Sequence, residues 1–384
     1  MFFREDGLQS AEFRVYNACL SAVDFMPTLI ETVDLFCGAG GLTCGLAKTR
    51  RIDVRCGVDI DPSCEFPYTS NNKSLFLLKR IEDITAAEVL SYFSEKKPKL
   101  LAGCAPCQTF SRYYNPQKKS EDSRWKLLLE FGRLVSGVQP EFVTMENVPN
   151  LRKYDVFRKF VGILIKNGYF LWYDVVDCSA YGLPQRRRRL VLLASKYGNI
   201  SLLSPEETYS VRKNVKEAIG DLEPLEAGGT SASDPLHRCR NLTALNLRRI
   251  RHTSEGGSWR EWPSHLVLRC HKDEHGKTFG SIYGRMKWLT PSPTITTQFF
   301  GLGNGRFGHP EQDRAISLRE GAILQGFPDN YQFVSPATPL LFKHVGRLIG
   351  NAVPVRLGEV IGMSFVHHLQ QHHKIDRKKR NVKK

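Results

Sequence analysis

Cys104 and Cys107 stand three apart in Gly103-Cys104-Ala105-Pro106-Cys107-Gln108, directly after the apolar run Leu100–Cys104. Three chemistries fit a cysteine there. The pair could be a dithiol redox couple, but the second cysteine of such a couple normally lies inside a helix. The polar stretch Gln108–Ser123, with Ser111, Arg112, Tyr113 and Tyr114, argues against that. A buried structural thiol suits Cys104 better than Cys107. A nucleophile at Cys107 is the third reading, and it needs partners. Two later apolar runs supply them: Glu146 ends Phe142-Val143-Thr144-Met145, and Gln185-Arg186-Arg187-Arg188-Arg189 leads into Leu190–Ala194. Alternation along a strand sends Arg187 and Arg189 to one side and Arg186 and Arg188 to the other. A thiol, a carboxyl and guanidinium groups could thus meet at one edge of a sheet.

A second cluster suits a nucleoside. Val33-Asp34-Leu35-Phe36-Cys37-Gly38-Ala39-Gly40-Gly41 ends an apolar run with glycines that permit a tight turn and close approach of a ligand to a helix N-terminus. A dinucleotide fingerprint would place a third glycine at 43, where Thr43 stands, so a pyrophosphate is disfavoured. Asp59 closes the next apolar run and can accept from both ribose hydroxyls, while Ile60 can pack on an adenine face. Asp83, in Glu82-Asp83-Ile84, could accept from an adenine amino group. An ordinary strand, turn and helix with capping acids would present the same residues.

These groups need a scaffold that gathers strand ends. Apolar runs at Leu29–Phe36, Val54–Ile60, Leu100–Cys104, Phe142–Met145, Leu171–Val176 and Leu190–Ala194 alternate with helix-like stretches such as 124–137 and 155–167. That pattern predicts an α/β fold with a mostly parallel sheet covered on both faces. From about 197 to 340 the chain turns richer in Pro, Gly, Ser, Arg and His, which reads as a smaller, loop-rich domain. Gly350–His368 reads as a turn and an apolar helix that could return to the first domain. Residues 1–28 show no clear period, and Lys374–Lys384 carries seven basic side chains and one acid.

The 384 residues carry a formal charge of +16, which points to a polyanionic partner, nucleic acid before an acidic membrane face. No apolar run approaches a membrane span, and the N-terminus lacks the layout of a signal peptide. Ten cysteines, several in apolar runs, suit reduced thiols in a cytosol. No metal site is expected, although a mixed one using Cys270, His271 and His275 stays open.

Taken together, the chain resembles the DNA (cytosine-5)-methyltransferases of bacterial restriction–modification systems. The matching motifs are Asp34–Gly41, Pro106-Cys107-Gln108, Glu146-Asn147-Val148, Gln185–Arg189, Arg319-Glu320 with Leu324-Gln325-Gly326-Phe327-Pro328, and Gly350-Asn351-Ala352-Val353-Pro354. They occur in the family's order and cover about 31 to 368. The resemblance implies a Rossmann-like S-adenosylmethionine-dependent methyltransferase sheet in 31–196, completed by 341–368. It also implies a target-recognition domain in 197–340, an N-terminal extension in 1–30 and a basic tail in 369–384.

The resemblance further implies that the Cys107 thiolate attacks C6 of a flipped-out cytosine and makes C5 nucleophilic towards the methyl group. Glu146 would hold or protonate N3. Arg187 would contact the base, and Gln185 and Arg189 would buttress the site through Glu146 and nearby backbone. Asn147 would fix the strand end, and the Gln108–Ser123 loop would close over DNA. The cofactor contacts would be Phe36, Gly38, Ala39, Gly40, Gly41, Asp59, Ile60, Asp83, Ile84, Asn351 and Ala352, with S-adenosylhomocysteine as product. Arg238, Arg240, Arg248, Arg249, Arg251 and His252 would meet phosphates, and Thr294–Gln298 with Gly301–Gly308 would reach base edges.

The implied partner is double-stranded DNA, for a monomer in the bacterial cytoplasm near the nucleoid. A cognate restriction endonuclease would share the site without direct contact. An RNA cytosine-5 methyltransferase and a catalytically silent DNA-binding relative are the alternatives.

Overall fold

Seven strands form one sheet in the order β3-β2-β1-β4-β5-β7-β6. The computed structural model describes residues 30–106 and 125–382, without the side chains of 125, 275 and 376–382. The strands are β1 (Ile30–Leu35), β2 (Ile52–Asp59), β3 (Leu75–Leu78), β4 (Lys99–Gly103), β5 (Phe142–Asn147), β6 (Phe170–Asp177) and β7 (Arg188–Ser195). Neighbours from β3 through β5 pair in parallel, and β7 runs antiparallel to both β5 and β6. The strand order reverses at β1, which has β2 on one side and β4 on the other. A crevice for ligands opens beyond the carboxyl ends of strands at such a switch point.

Continuous apolar runs become strands here because both faces of the sheet are buried. Leu101, Val143 and Met145 pack with Phe131 and Phe160, from the helices Trp125–Val138 and Asp155–Lys166. Leu100, Ala102 and Leu193 face the other way, onto Leu357, Val360 and Phe365 of the helix Val355–Val382. Each fully buried side chain of this size contributes about 1.5–3 kcal/mol. That last helix does return to the sheet, crossing the helix Gly41–Lys48. A Cβ on Gly45 would lie 2.2 Å from the Val355 carbonyl oxygen, so the crossing requires glycine.

Three features differ from the sequence reading. The edge strand β3 has only four residues and no alternation to reveal it, and its Leu75 and Leu78 are exposed. Ile200 and Leu202 pack in the layer with Phe365, so the chain leaves the sheet domain later than residue 197. The basic tail, as far as it is described, continues the last helix to Val382.

Beyond the sheet, a third core joins Val215, Ile219, Leu236, Ile295 and Phe299 to the helices Leu318–Leu324 and Phe342–Asn351. It also includes Ala39 and Cys64, so the loop-rich region packs directly against the glycine turn. Among the described residues between 204 and 315, β-structure is limited to isolated bridges such as Thr230–Arg238 and Arg285–Gly308.

Candidate active site

A cavity of about 480 Å³ opens at the strand ends around the β1/β4 switch point. At the end of β1 the backbone turns through left-handed conformations at Phe36 (φ 58), Gly38 (φ 53) and Gly40 (φ 87). For Phe36, a residue with a side chain, that geometry is strained and is held by the packing around it. The turn is pinned from β2, since Asp59 accepts from the Gly38 N–H with one carboxylate oxygen and from the Asp61 N–H with the other, both at 2.9 Å. Burial raises the Asp59 carboxyl above its usual range.

Thr43 explains the missing third glycine. Its hydroxyl donates to Asp34 Oδ2 at 2.7 Å in a fully buried pair. Burial pushes the Asp34 carboxyl up to about 7. Its Oδ1 is buried, with no hydrogen-bond partner among the described residues, and Asp34 lines the cavity.

Of the expected cofactor contacts, Phe36, Gly38, Ala39, Asp59, Ile60, Asn351 and Ala352 line this cavity. Ile60 is 58% exposed, an apolar side chain left open towards the space. Gly40, Gly41, Asp83 and Ile84 are not in the lining. A Cβ on Gly41 would meet the Val353 carbonyl oxygen at 2.2 Å, and one on Gly40 the Asn72 amide at 2.5 Å. Gly41 therefore serves close packing against backbone, and Gly40 close packing against side chains at a positive φ. Ile84 is buried in the sheet's core, and the cavity is reached instead by Ile81 and Glu82. Leu127, at the start of a helix with an apolar face, and Arg347, which pairs with Asp61, also line the cavity, and no motif marks either of them.

The same cavity reaches the end of β5. Glu146 is 3% exposed, and its Oε1 lies 2.8 Å from Arg189 Nε. Its Oε2 accepts from the Cys104 thiol at 2.9 Å. Asn147 donates from its amide to the Ala105 carbonyl at 2.9 Å, tying the end of β5 to the segment that leads to Pro106. Cys107, Gln108 and the loop to Ser123 lie outside the described residues.

The arginine run alternates as strand geometry predicts, with Arg186 and Arg188 exposed, Arg187 buried and Arg189 half-buried. Its division of labour matches the expectation for Arg189 and departs from it for Gln185. Arg187 donates to the carbonyls of Ile295, Gly350 and Ala352, joining the loop-rich region to the segment bearing Asn351. Arg189 is the guanidinium on the carboxylate. Gln185 is fully buried; it donates to the Leu324 carbonyl and Gln325 Oε1 and accepts from the Ile295 N–H, so it does not support Glu146. Cys178 sits behind the pair, its thiol pushed up to about 12 by burial.

The expected phosphate-binding residues divide. Arg249 is 9% exposed, donates to the Leu266 carbonyl, and lies over the Trp262 ring at 5.2 Å, so it holds the fold. Arg251 is paired with Asp313 at 3.2 Å. Arg238, Arg240, Arg248 and His252 remain exposed. Cys270 is exposed while His271 is buried against Trp259, so those two diverge. Among the described residues no group of three or more His, Cys, Asp or Glu could hold a metal. Nor is any helix among them long and apolar enough to cross a membrane.

Comparison with known proteins gives a consistent result. Residues 30–367 match the family model described as C-5 cytosine-specific DNA methylase. The chain is similar to the Type II methylase M.HgiDII of Herpetosiphon aurantiacus, 47% identical over 348 residues, covering 90% of this chain and 97% of that protein. It is 31% identical to the Type II methyltransferase M1.BsuMI of Bacillus subtilis (strain 168), covering 87% and 80%. Among solved structures, a putative DNA modification methyltransferase encoded within a prophage of E. coli superposes with a TM-score of 0.67. That pair is 24% identical, covers 89% of this chain and 99% of that one, and shares the fold.

Proposed function

The chain belongs to the C-5 cytosine-specific DNA methylase family and is a DNA cytosine-5 methyltransferase, and from that premise we propose how its residues divide the reaction. The observation that carries the reading is Glu146, a buried carboxyl held by Arg189 at the end of a strand, lining one cavity with Asp59 and the glycine turn.

S-adenosylmethionine fits the residues of that cavity. Asp59 offers carboxylate lone pairs for ribose hydroxyls, exposed Ile60 offers an apolar face for adenine, and Asp34 brings a buried oxygen that lacks a partner among the described residues. Bound there, the cofactor supplies an electrophilic methyl group. A cofactor without phosphates also suits a turn whose third fingerprint position is Thr43.

C5 of cytosine is a poor nucleophile, so the ring must be activated first. In our reading the thiolate of Cys107, the residue after cavity-lining Pro106, adds to C6. Glu146 delivers a proton to N3 as charge develops in the ring. Arg189 holds the carboxyl, as the resemblance implied, and in our reading it also meets the ring oxygen, the base contact expected of Arg187. Arg187 instead ties the recognition segment at Ile295 to the segment carrying Asn351, so DNA and cofactor surfaces are held in register. Once C5 carries the methyl group, its proton passes to water, Glu146 takes back the N3 proton, and departure of the Cys107 thiolate restores the aromatic ring. The target base must leave the stack to reach so enclosed a carboxyl.

Exposed Arg238, Arg240 and Arg248 contribute to binding duplex phosphates, in keeping with the +16 charge. We read the chain from about 203 to 340 as the recognition region, and the enzyme as a monomer of the bacterial cytoplasm acting at the nucleoid beside a restriction endonuclease of the same specificity. Transfer of tritiated methyl groups from S-adenosylmethionine to duplex DNA and to RNA, with Cys107→Ala as control, tests the mechanism. The expected result is labelled DNA with wild type and none with the variant. Persistent labelling by Cys107→Ala overturns the covalent route.

A further inference from the structure

We propose that Cys104 is a positioning residue for methyl transfer, its thiol orienting the Glu146 carboxyl that serves the target ring. The inference rests on the reading of Glu146 as the group that protonates N3. Cys104 follows β4 directly, and its N–H is tied to the Leu35 carbonyl at 3.3 Å, so its position between β1 and β5 is set by the sheet. From there its Sγ donates to Glu146 Oε2 at 2.9 Å, while Arg189 Nε stands 2.8 Å from Oε1. The hydrogen bond to this carboxyl thus comes from the end of β4, while Arg189 on β7 faces the other oxygen at ion-pair distance without an aligned hydrogen bond. The terminal torsion of a glutamate is otherwise broad, so a single contact would let the group swing.

The choice of a thiol has a chemical consequence. Among the described residues, Arg189 and Cys104 touch Glu146, Arg187 shares its cavity wall, and Cys178 in the turn after β6 lies within electrostatic reach. A cation on both oxygens would hold the carboxyl ionised and oppose delivery of a proton to N3. A thiol is a weak, rotatable donor. It orients the carboxylate and can turn its hydrogen aside when Oε2 is protonated. Cys104 therefore restrains direction without fixing charge, which an alanine or glycine at this position could not do.

Steady-state methylation of duplex DNA tests this, using wild type, Cys104→Ala, Cys104→Ser and Glu146→Gln. For Cys104→Ala we expect kcat to fall about tenfold, as a hydrogen bond to a charged group at the weak end of its range implies. KM for S-adenosylmethionine should stay within about twofold. Losing a donor disfavours the carboxylate, so the alkaline limb of the kcat profile should move to higher pH. Cys104→Ser, which keeps a donor, should restore both rate and limb. Equal losses in Ala and Ser, or a profile that is scaled without moving, would overturn the proposal. So would a kcat for Cys104→Ala within about twofold of wild type.

Should Cys104→Ala fail to melt cooperatively, Cys104→Ser decides alone: wild-type rate and limb support the proposal, and a tenfold loss overturns it. Glu146→Gln separates the two levels. An active Glu146→Gln enzyme sinks the reading of Glu146 itself. An inactive one beside a normal Cys104→Ala sinks only the role of Cys104.

Discussion

Replacing Asp34 by asparagine should remove a pH dependence of stability that spans neutrality. The carboxyl is 1% exposed. Burial first, and the Asp59 charge after it, push its pKa from 3.8 to about 7, against the pull of the Thr43 hydroxyl. The folded chain therefore keeps this proton after the unfolded chain has lost it. The associated stabilisation is complete below about pH 4 and is lost as pH rises through about 7. At 1.36 kcal/mol per pH unit, the whole window is worth about 4 kcal/mol. About 2 kcal/mol of that falls between about pH 5.5 and about pH 8.5.

The assay is urea unfolding followed by tryptophan fluorescence across that range, for wild type and Asp34→Asn. Asparagine keeps an acceptor for Thr43 and cannot ionise. The difference between the two curves cancels other titrating groups, such as His309, whose imidazole burial holds down at about 4. Relative to wild type, Asp34→Asn should gain about 2 kcal/mol from the acid to the alkaline end. Curves that run parallel across the window would refute the reasoning.

Two further outcomes follow from the geometry. Arg189→Ala strips the cation from a carboxyl that is 3% exposed, a loss of about 3 kcal/mol or more, so kcat should fall about 100-fold or more in the methylation assay while S-adenosylhomocysteine binding by calorimetry is retained. Arg189→Lys should recover only part, because an ammonium cannot both face Glu146 and bond the Arg188 carbonyl as the guanidinium does; full recovery would show that charge alone matters. Gly45→Ala forces a Cβ to within 2.2 Å of the Val355 carbonyl oxygen, so the helix crossing must open at a cost of about 1–3 kcal/mol. Calorimetry should report a lowered Tm, and an unchanged Tm would mean that the two helices part freely.

Much of the scaffold could be read from the chain because buried parallel strands leave continuous apolar runs. Those at Leu100–Cys104, Phe142–Met145 and Leu190–Ala194 lie on β4, β5 and β7. The four-residue β3 left no such trace, since an edge strand exposing Leu75 and Leu78 need be neither long nor wholly buried. The side of the arginine run was legible from alternation, but the task of each arginine was not. Arg187 and Arg189 share a side, and only the positions of Ile295, Gly350 and Glu146 separate a guanidinium that binds carbonyls from one that binds a carboxylate. Gly40 and Gly41 show the same limit. Their spacing signals a tight turn, while the partner that makes glycine necessary at 41 is Val353, from the far end of the chain.

By itself, then, the sequence determined the residue types available for reaction, their order, and the alternation of apolar runs that puts Glu146 and the glycine turn at strand ends. Those properties are local, because periodicity and turn chemistry act over a few residues. Only the tertiary structure decided which groups meet. The reversal of strand order at β1 brings β4 beside it and β5 next, and antiparallel β7 delivers Arg189 to the same end. Contacts between Cys104 and Glu146, 42 residues apart, or between Arg187 and Ala352, 165 apart, depend on that packing. A hydrogen bond needs ångström placement, and no spacing along a chain supplies it.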